Sequence, residues 1–279
     1  MVENGGFNAI ILSKTLWANV GTELASIAIT VLLIDKLIQR RDMEMNKTRL
    51  IRDFCSEVRD AAIRALEELR AHGWLYDGSL QYADLSRCSL DGAILTQVDF
   101  ADADLSLASL QRADLSLAIL QGTDLTSTDL TEACLQGADL REANLVLANL
   151  QDANLSSTNL QGAVFLSSNL KGANLNGANL CEAQLQKAQN LSYKQLVTAS
   201  VLRGAYMTDG SLYDGRYNLA GDLLEAVRGG TNTDSPVAMA EYYGVSLGDY
   251  QRDQDWAREN LAKLHGEAGD VSGGGDPAA

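Results

Sequence analysis

The residues of this chain best suited to nucleophilic, acid–base or metal chemistry are its cysteines and histidines. There are four cysteines, and no pair has the Cys-x-x-Cys spacing typical of zinc ligands: Cys55, Cys88, Cys134 and Cys181. The two histidines, His72 and His265, are far from them in sequence. We therefore expect no metal site and no disulfide framework. Unpaired thiols of this kind are typical of a reducing compartment.

No other motif predicts catalysis. The segment GSLYDG at 210–215 lacks the lysine and the strand–helix context of a phosphate-binding loop. Three tyrosines lie in segments with a helical sequence pattern, where a tyrosine ordinarily packs against its neighbours: Tyr242, Tyr243 and Tyr250. We predict that the protein is not an enzyme, and that it has no catalytic residue and binds no cofactor, metal or small-molecule substrate.

An internal repeat with a period of five dominates the chain. From Leu80 to Leu185 every fifth residue, here called the centre, is Leu or Phe, which gives 22 consecutive centres. The residue two places earlier is small, and 15 of these 22 are Ala. The residue just before the centre, here called the pre-centre residue, is mostly Asp or Asn.

A period of five fits neither an α-helix at 3.6 nor a flat strand at 2. It fits a coil in which each pentapeptide forms one side and turns a corner, with the centre and the small residue pointing inward. Four sides give 20 residues per coil, stacked at about 4.8 Å. Each coil then contacts only its neighbours.

Over about 110 residues the sequence resembles the pentapeptide-repeat family, whose motif is A(D/N)LXX. The resemblance implies a mainly β fold, a right-handed quadrilateral β-helix. We expect this solenoid at 75–190, flanked by an N-terminal helical and transmembrane segment and by a small, mostly α C-terminal segment.

Grouping the repeats by twenties predicts two surfaces on one face. An acidic stripe consists of the pre-centre residues Asp84, Asp104 and Asp124. An apolar patch consists of the outward residues Val146, Leu147, Val164 and Leu166. Exposed apolar clusters are usually covered by an interaction partner, so we predict a protein partner or self-association at this face. The alternative is that another part of the chain covers the patch.

The pre-centre residue also changes along the coil. Where it is Asp or Asn, it is Asp up to residue 139 and Asn from residue 144 onward. Stacked amides can both donate and accept hydrogen bonds, so we expect a more cohesive second half. Drift within a tolerant motif is the alternative.

Residues 16–34 (LWANVGTELASIAITVLLI) are apolar enough to predict one transmembrane helix at about 16–36, with Trp17 as an interfacial anchor. Six basic residues follow this stretch up to Arg52, against Lys14 before it, which predicts that the rest of the chain is cytoplasmic. Glu23 argues against a transmembrane helix, because a carboxylate within the bilayer costs free energy. A helix packed on protein or an interfacial helix are the alternatives.

The chain thus divides into five predicted parts. Residues 1–39 carry the membrane helix, and 40–74 form a charged, amphipathic helix that caps the coil. Residues 75–190 form the β-helix, 191–266 a hairpin and helices, and 267–279 a disordered tail. The five-residue phase slips at 188–191, where we expect the repeat to end.

The net charge of −15 lies on the repeats and the C-terminal part. Such a surface repels nucleic acids and favours basic partners, so no nucleic-acid binding is expected. The predicted function is a non-enzymatic scaffold or interaction module displayed on the cytoplasmic side of a membrane. One alternative is an acidic DNA mimic acting on an enzyme such as gyrase, as some family members do. The other is a soluble structural module.

Overall fold

The computed structural model of the chain describes residues 5–56, 59–217 and 219–268. The chain has two compact units, residues 1–52 and 53–279. The first consists mostly of helix α1 (Gly5–Phe54). The side chains of Trp17 and Glu23 and most of the expected tail at 267–279 lie outside the described parts. In α1, Ile29, Leu33 and Leu37 are exposed, like their apolar neighbours. Among the described residues, no helix carries an apolar stretch long enough to cross a lipid bilayer.

The second unit is built on a four-sided coil. Parallel bridges join residues 20 positions apart, beginning with Asp84–Asp104, and recur every five residues. The centre N–H donates to the next coil, as from Leu105 N to Asp124 O at 2.8 Å, and the pre-centre N–H donates to the preceding coil. Each side contributes one bridged residue between turns, so the described chain contains isolated bridges rather than extended strands.

The interior of the coil is filled as the spacing predicts. The centres are almost fully buried, and so are the alanines two places earlier from Ala103 onward, while Ala83 and Ala93 on the first coil are half-buried. Four larger polar residues replace alanine at inward positions, and each hydroxyl donates to a backbone carbonyl: Thr123 to Phe100, Thr128 to Leu105, Thr158 to Leu135 and Ser168 to Phe165. Buried hydroxyls are thereby satisfied, and no room remains inside the coil for a ligand.

The second residue after most centres has left-handed backbone, whatever its type. Leu107, Leu117 and Leu147 all have φ near +60°. Such a conformation costs about 1–2 kcal/mol for a residue other than glycine. It persists because the bridges before and after each corner fix the backbone. The corner therefore places these side chains outside the coil.

The coil continues beyond the expected end at 188–191. Helix α3 (Tyr193–Leu196) forms part of the next turn, after which Val201 pairs with Asn179 and Tyr206 with Gln184. The residues of each pair are 22 positions apart instead of 20, so two residues are inserted in this turn. The insertion interrupts the five-residue spacing, and the spacing therefore does not reveal the two further sides of the coil. Leu202 is fully buried, like the centres before it.

Helix α2 (Arg59–Ala71) lies at the N-terminal end of the coil and buries Ala65 and Leu69. Its Arg70 donates through Nη2 to the Ile94 carbonyl of the first coil at 2.6 Å. Helix α1 ends at Phe54 and α2 begins at Arg59, so the segment 40–74 holds two helices rather than one. The expectation of four unpaired cysteines is wrong, because Cys55 and Cys88 form a disulfide. Their separation of 33 residues carries no spacing signal; folding alone brings them together.

At the other end, three helices follow a hairpin turn around Asp209-Gly210: α4 (Ala220–Arg228), α5 (Pro236–Tyr243) and α6 (Leu247–Ala268). The Asp222 carboxylate of α4 accepts from Leu202 N at 3.1 Å and from Arg203 N at 3.0 Å. It thus replaces the carbonyl that a further coil would supply to Leu202. Gly221 permits this approach, because a Cβ there would lie 2.2 Å from the Ser200 carbonyl oxygen.

The inward and outward roles of two leucines can be separated by mutation. Leu145 is fully buried, whereas Leu147 is 57% exposed. Leu145→Ala should lower the free energy of unfolding by about 2–5 kcal/mol, because it leaves a cavity in a filled coil. Leu147→Ala should change it by less than about 0.5 kcal/mol. Urea denaturation followed by circular dichroism measures both, and equal losses would contradict the inward placement of the centres.

Candidate interaction surface

The predicted apolar patch lies on two consecutive coils of one face. Leu147 N donates to Leu166 O at 3.0 Å, and Val164 pairs with Asn144, so the residues are neighbours across the coil boundary. Leu147 is 57% and Leu166 38% exposed, while Val146 and Val164 are half-buried. The four residues therefore lie on adjacent coils of the outer wall.

The acidic stripe lies on the same face, toward the N-terminal end. Asp104 pairs with both Asp84 and Asp124, so the three residues are stacked one coil apart. Each carboxylate accepts a hydrogen bond from the backbone N–H two residues later, at Ser86, Ser106 and Thr126. These bonds stabilise the corners as Asx turns. The Ser86 hydroxyl also lowers the pKa of Asp84. The stripe therefore has a structural role in addition to its charge.

The amide ladder expected in the second half is present. Asn169 Nδ2 donates to Asn149 Oδ1 at 2.9 Å, and Asn174 donates to Asn154 in the same way. Every amide bond of this ladder runs from one coil to the preceding coil. Asn144 Nδ2 accordingly donates to Asp124 Oδ1 at 3.3 Å. An aspartate can accept at the N-terminal end of such a column but cannot donate onward, which agrees with Asp preceding Asn in the sequence.

Grouping by twenties gave less weight to several other exposed apolar residues. Leu107 lies on the same face as the apolar patch and is 52% exposed. Leu117 and Ile119 lie together at a corner between two other faces, and Ile94 is exposed on the first coil. The sequence does indicate that Leu117 is exposed, because Leu117, like Leu147, is the second residue after a centre. The pair at 117 and 119 is smaller than the apolar patch.

Two other reactive groups of the described residues have structural environments. Burial raises the pKa of the Cys181 thiol to about 11, which leaves it protonated and unreactive at neutral pH. His72 stacks on Trp74 with ring centroids 4.4 Å apart. Within the described ranges, no group of His, Cys, Asp and Glu side chains is suited to holding a metal ion.

One buried carboxylate at the C-terminal end has an unusual environment. Asp222 is fully buried, and burial raises its pKa to about 6. Its Oδ1 accepts the two backbone N–H groups, whereas Oδ2 has no hydrogen-bond partner. The Tyr243 hydroxyl is also buried without a hydrogen-bond partner; burial raises the pKa of Tyr243, and the charge of Asp222 raises it further. Leaving such atoms unpaired costs stability.

Asp222 should therefore make stability depend on pH. Its folded-state pKa lies above the unfolded value of about 3.9, so its contribution to stability falls as the pH rises from about 4 to 6. Asp222→Asn retains an acceptor for both N–H groups and carries no charge. It should stabilise the protein by about 1–3 kcal/mol at pH 8 and by much less at pH 4.

Melting temperatures at pH 4, 6 and 8 measure this difference. Asp209→Asn is the matched control, because the Ser211 hydroxyl lowers the pKa of this exposed carboxyl. The control should gain nothing at pH 8. An Asp222→Asn variant that is less stable than the wild type at pH 8 would refute the conclusion that the buried charge of Asp222 lowers stability.

Comparison with known proteins identifies the repeats. The family model of pentapeptide repeats matches eight copies, in residues 79–112, 108–145 and 148–189. Among the curated proteins, none matches this chain.

Several solved structures are similar over the solenoid. HetL of the cyanobacterium Nostoc, a protein involved in heterocyst differentiation regulation, is 26% identical; the match covers 53% of this chain and 98% of HetL, with a TM-score of 0.23. A pentapeptide repeat protein of the Arabidopsis thaliana thylakoid lumen is 33% identical. The match covers 48% of this chain and 86% of that protein, with a TM-score of 0.22. QnrB1, a plasmid-mediated fluoroquinolone resistance protein, is 18% identical, with 48% and 78% covered and a TM-score of 0.30.

Proposed function

The chain belongs to the pentapeptide-repeat family, and from this premise we propose that it is a non-enzymatic interaction module that binds another protein through the apolar patch. Membership of the family also implies that the coil is right-handed. The family consists in general of structural and interaction modules rather than enzymes. The proposal concerns where on the outer wall this member makes its contact.

One observation carries the proposal: two exposed leucines, Leu147 and Leu166, lie with two half-buried valines on adjacent coils of one face, on a rod whose outer positions are mostly polar. The corner geometry explains why Leu147 cannot turn inward, because its left-handed backbone places the side chain outside the coil. Solvent contact with such a surface is unfavourable at about 25 cal/mol per Å². A partner that covers Leu147 and Leu166 would remove that cost.

We further propose that α1 displays this module at a membrane, with the C-terminal bulk in the cytoplasm. In support, apolar side chains at 29–38 are exposed on α1, including Ile29, Leu33 and Leu37. A helix exposed and apolar on all sides is normally covered by lipid or protein. The basic residues from Lys36 to Arg52 favour the cytoplasmic side. The cysteines no longer support a reducing compartment, because two of the four form a disulfide.

The DNA-mimic function ranks lower. It depends on carboxylates presented along the rod, and the acidic stripe ends at Asp124, with the neutral Asn144 and Val164 following on the same face. Each carboxylate of the stripe also has one oxygen engaged by a backbone N–H. A gyrase supercoiling assay at micromolar protein tests this alternative, and inhibition would favour it.

The double variant Leu147→Glu with Leu166→Glu tests the interaction surface. It should reduce any oligomer to a single chain of 30.0 kDa and abolish crosslinks to a partner in cells, because charged side chains disrupt an apolar contact. Light scattering measures the mass, and crosslinking with mass spectrometry measures the partner. The melting temperature should change little, because both side chains are exposed.

Leu117→Glu is the matched control. Leu117 and Leu147 are both 57% exposed and have the same φ of 59°, but they lie on different faces. The control should retain the mass and the crosslinks. If the double variant also keeps both but melts at a lower temperature, the patch packs against its own chain and the proposal fails.

Membrane display is tested separately by extraction with alkaline carbonate. The full chain should remain with the membrane fraction, and a chain of residues 53–279 should be released. Release of the full chain would reject the membrane anchor and leave the interaction surface unaffected.

A further inference from the structure

The Cys55–Cys88 disulfide joins two structures that are otherwise held only by non-covalent contacts. Cys55 follows the end of α1, and Cys88 occupies a small inward position of the first coil. Their Cα atoms are 4.5 Å apart. Besides this bond, the packing of α2 and the hydrogen bond of Arg70 hold α2 at the end of the coil. Loss of the disulfide would leave the fold intact but more weakly closed at this end.

A cleft of about 210 Å³ lies beside the disulfide, and its walls flank both cysteines. Phe54 and Ser56 adjoin Cys55, and α2 contributes Ala62, Ile63 and Leu66 to the same wall. The opposite wall is the turn at 89–93 of the first coil, which adjoins Cys88. The disulfide is therefore the covalent link between the two walls. Its state determines how far they can separate.

The coil does not require a sulfur at position 88. Alanine occupies 15 of the 22 equivalent inward positions, and Cys88 is only 1% exposed, like most of those alanines; Ala83 and Ala93 are half-buried. The backbone of Cys88 is fixed, because its N–H donates to Leu85 and its carbonyl accepts from Ser109. Removing the bond should therefore release the Cys55 side of the cleft and leave the coil in place.

We propose that Cys55–Cys88 is a site of thiol–disulfide exchange with a dithiol reductant, and that its reduction opens the cleft between α2 and the first coil. Cys55 is half-buried while Cys88 is enclosed, so a thiolate of the reductant attacks Cys55 Sγ. The disulfide breaks, and Cys88 leaves as a thiolate and takes up a proton. The second thiol of the reductant attacks the mixed disulfide, releasing Cys55 as a thiol and leaving the reductant as a disulfide.

This inference does not depend on the interaction surface, which lies on later coils. It does bear on the compartment. A stable disulfide is unusual in the cytoplasm, where disulfides are mostly transient or redox-sensing. An exchangeable bond is compatible with the cytoplasmic placement that the basic residues from Lys36 to Arg52 favour.

The experiment uses the full chain, purified without reductant, and dithiothreitol as the dithiol. Alkylation after unfolding, followed by mass spectrometry, should find two free cysteines, Cys134 and Cys181, before treatment and four after treatment of the folded protein. Hydrogen exchange of residues 59–76 should become at least threefold faster after reduction. Exchange of residues 145–180 should not change.

Two variants complete the test. Cys88→Ala should show the fast exchange of residues 59–76 without reductant, because it removes the bond and keeps an inward residue that the coil accepts. Cys134→Ser retains the disulfide and should behave as the wild type. The proposal is overturned if four cysteines are free before treatment, if the bond is reduced only in denaturant, or if reduction leaves the exchange of residues 59–76 unchanged.

Discussion

The hydrogen bonds between successive coils are the constraint on which the rest of this structure depends. Each centre N–H reaches a carbonyl of the next coil, and each pre-centre N–H reaches back to the preceding coil. These bonds recur with five residues per side and twenty per coil over the repeat, and with 22 residues at the last turn. Side-chain direction follows, since the corner decides which two positions point inward. The left-handed backbone at Leu147 and its equivalents is held by the same bonds. A local cost at each corner is accepted because the stacked coils fix the backbone on both sides.

Stacking coils leaves hydrogen-bonding groups unpaired at both ends, and the two ends are satisfied by side chains of opposite charge. At the N-terminal end, the guanidinium of Arg70 donates to a free carbonyl. At the C-terminal end, the carboxylate of Asp222 accepts two free N–H groups. Exposed ends of this kind would otherwise pair with other chains. The buried charge of Asp222 is the cost of that closure, and it gives the C-terminal end its expected dependence on pH.

A filled coil directs function to the outer wall and to the ends. The outer positions of the repeat are the ones that can vary, and here they hold an acidic stripe, an amide ladder and the apolar patch. The ends differ, because non-repeating segments cover them and can bring together residues that the repeat itself cannot. The disulfide and its adjacent cleft arise in this way. The wall therefore suits contact with a partner, and the N-terminal end suits control by redox chemistry.

Much of this protein follows from its sequence alone. An unbroken phase over 22 repeats determines which residues are inside, which share a face and where Asp and Asn stack, because the backbone repeats identically. The apolar patch and the acidic stripe were predictable for that reason. The pairing of Val201 with Asn179 and of Tyr206 with Gln184 was not predictable, because inserted residues lengthen the step between paired residues from 20 to 22. Nor were the roles of Cys55, Arg70 and Asp222, which lie at or beyond the ends of the repeat. Their partners are 33, 24 and 20 residues away. Each of the three residues lies outside the repeat, so the five-residue phase does not place it against its partner, and only the folded chain decides what it contacts.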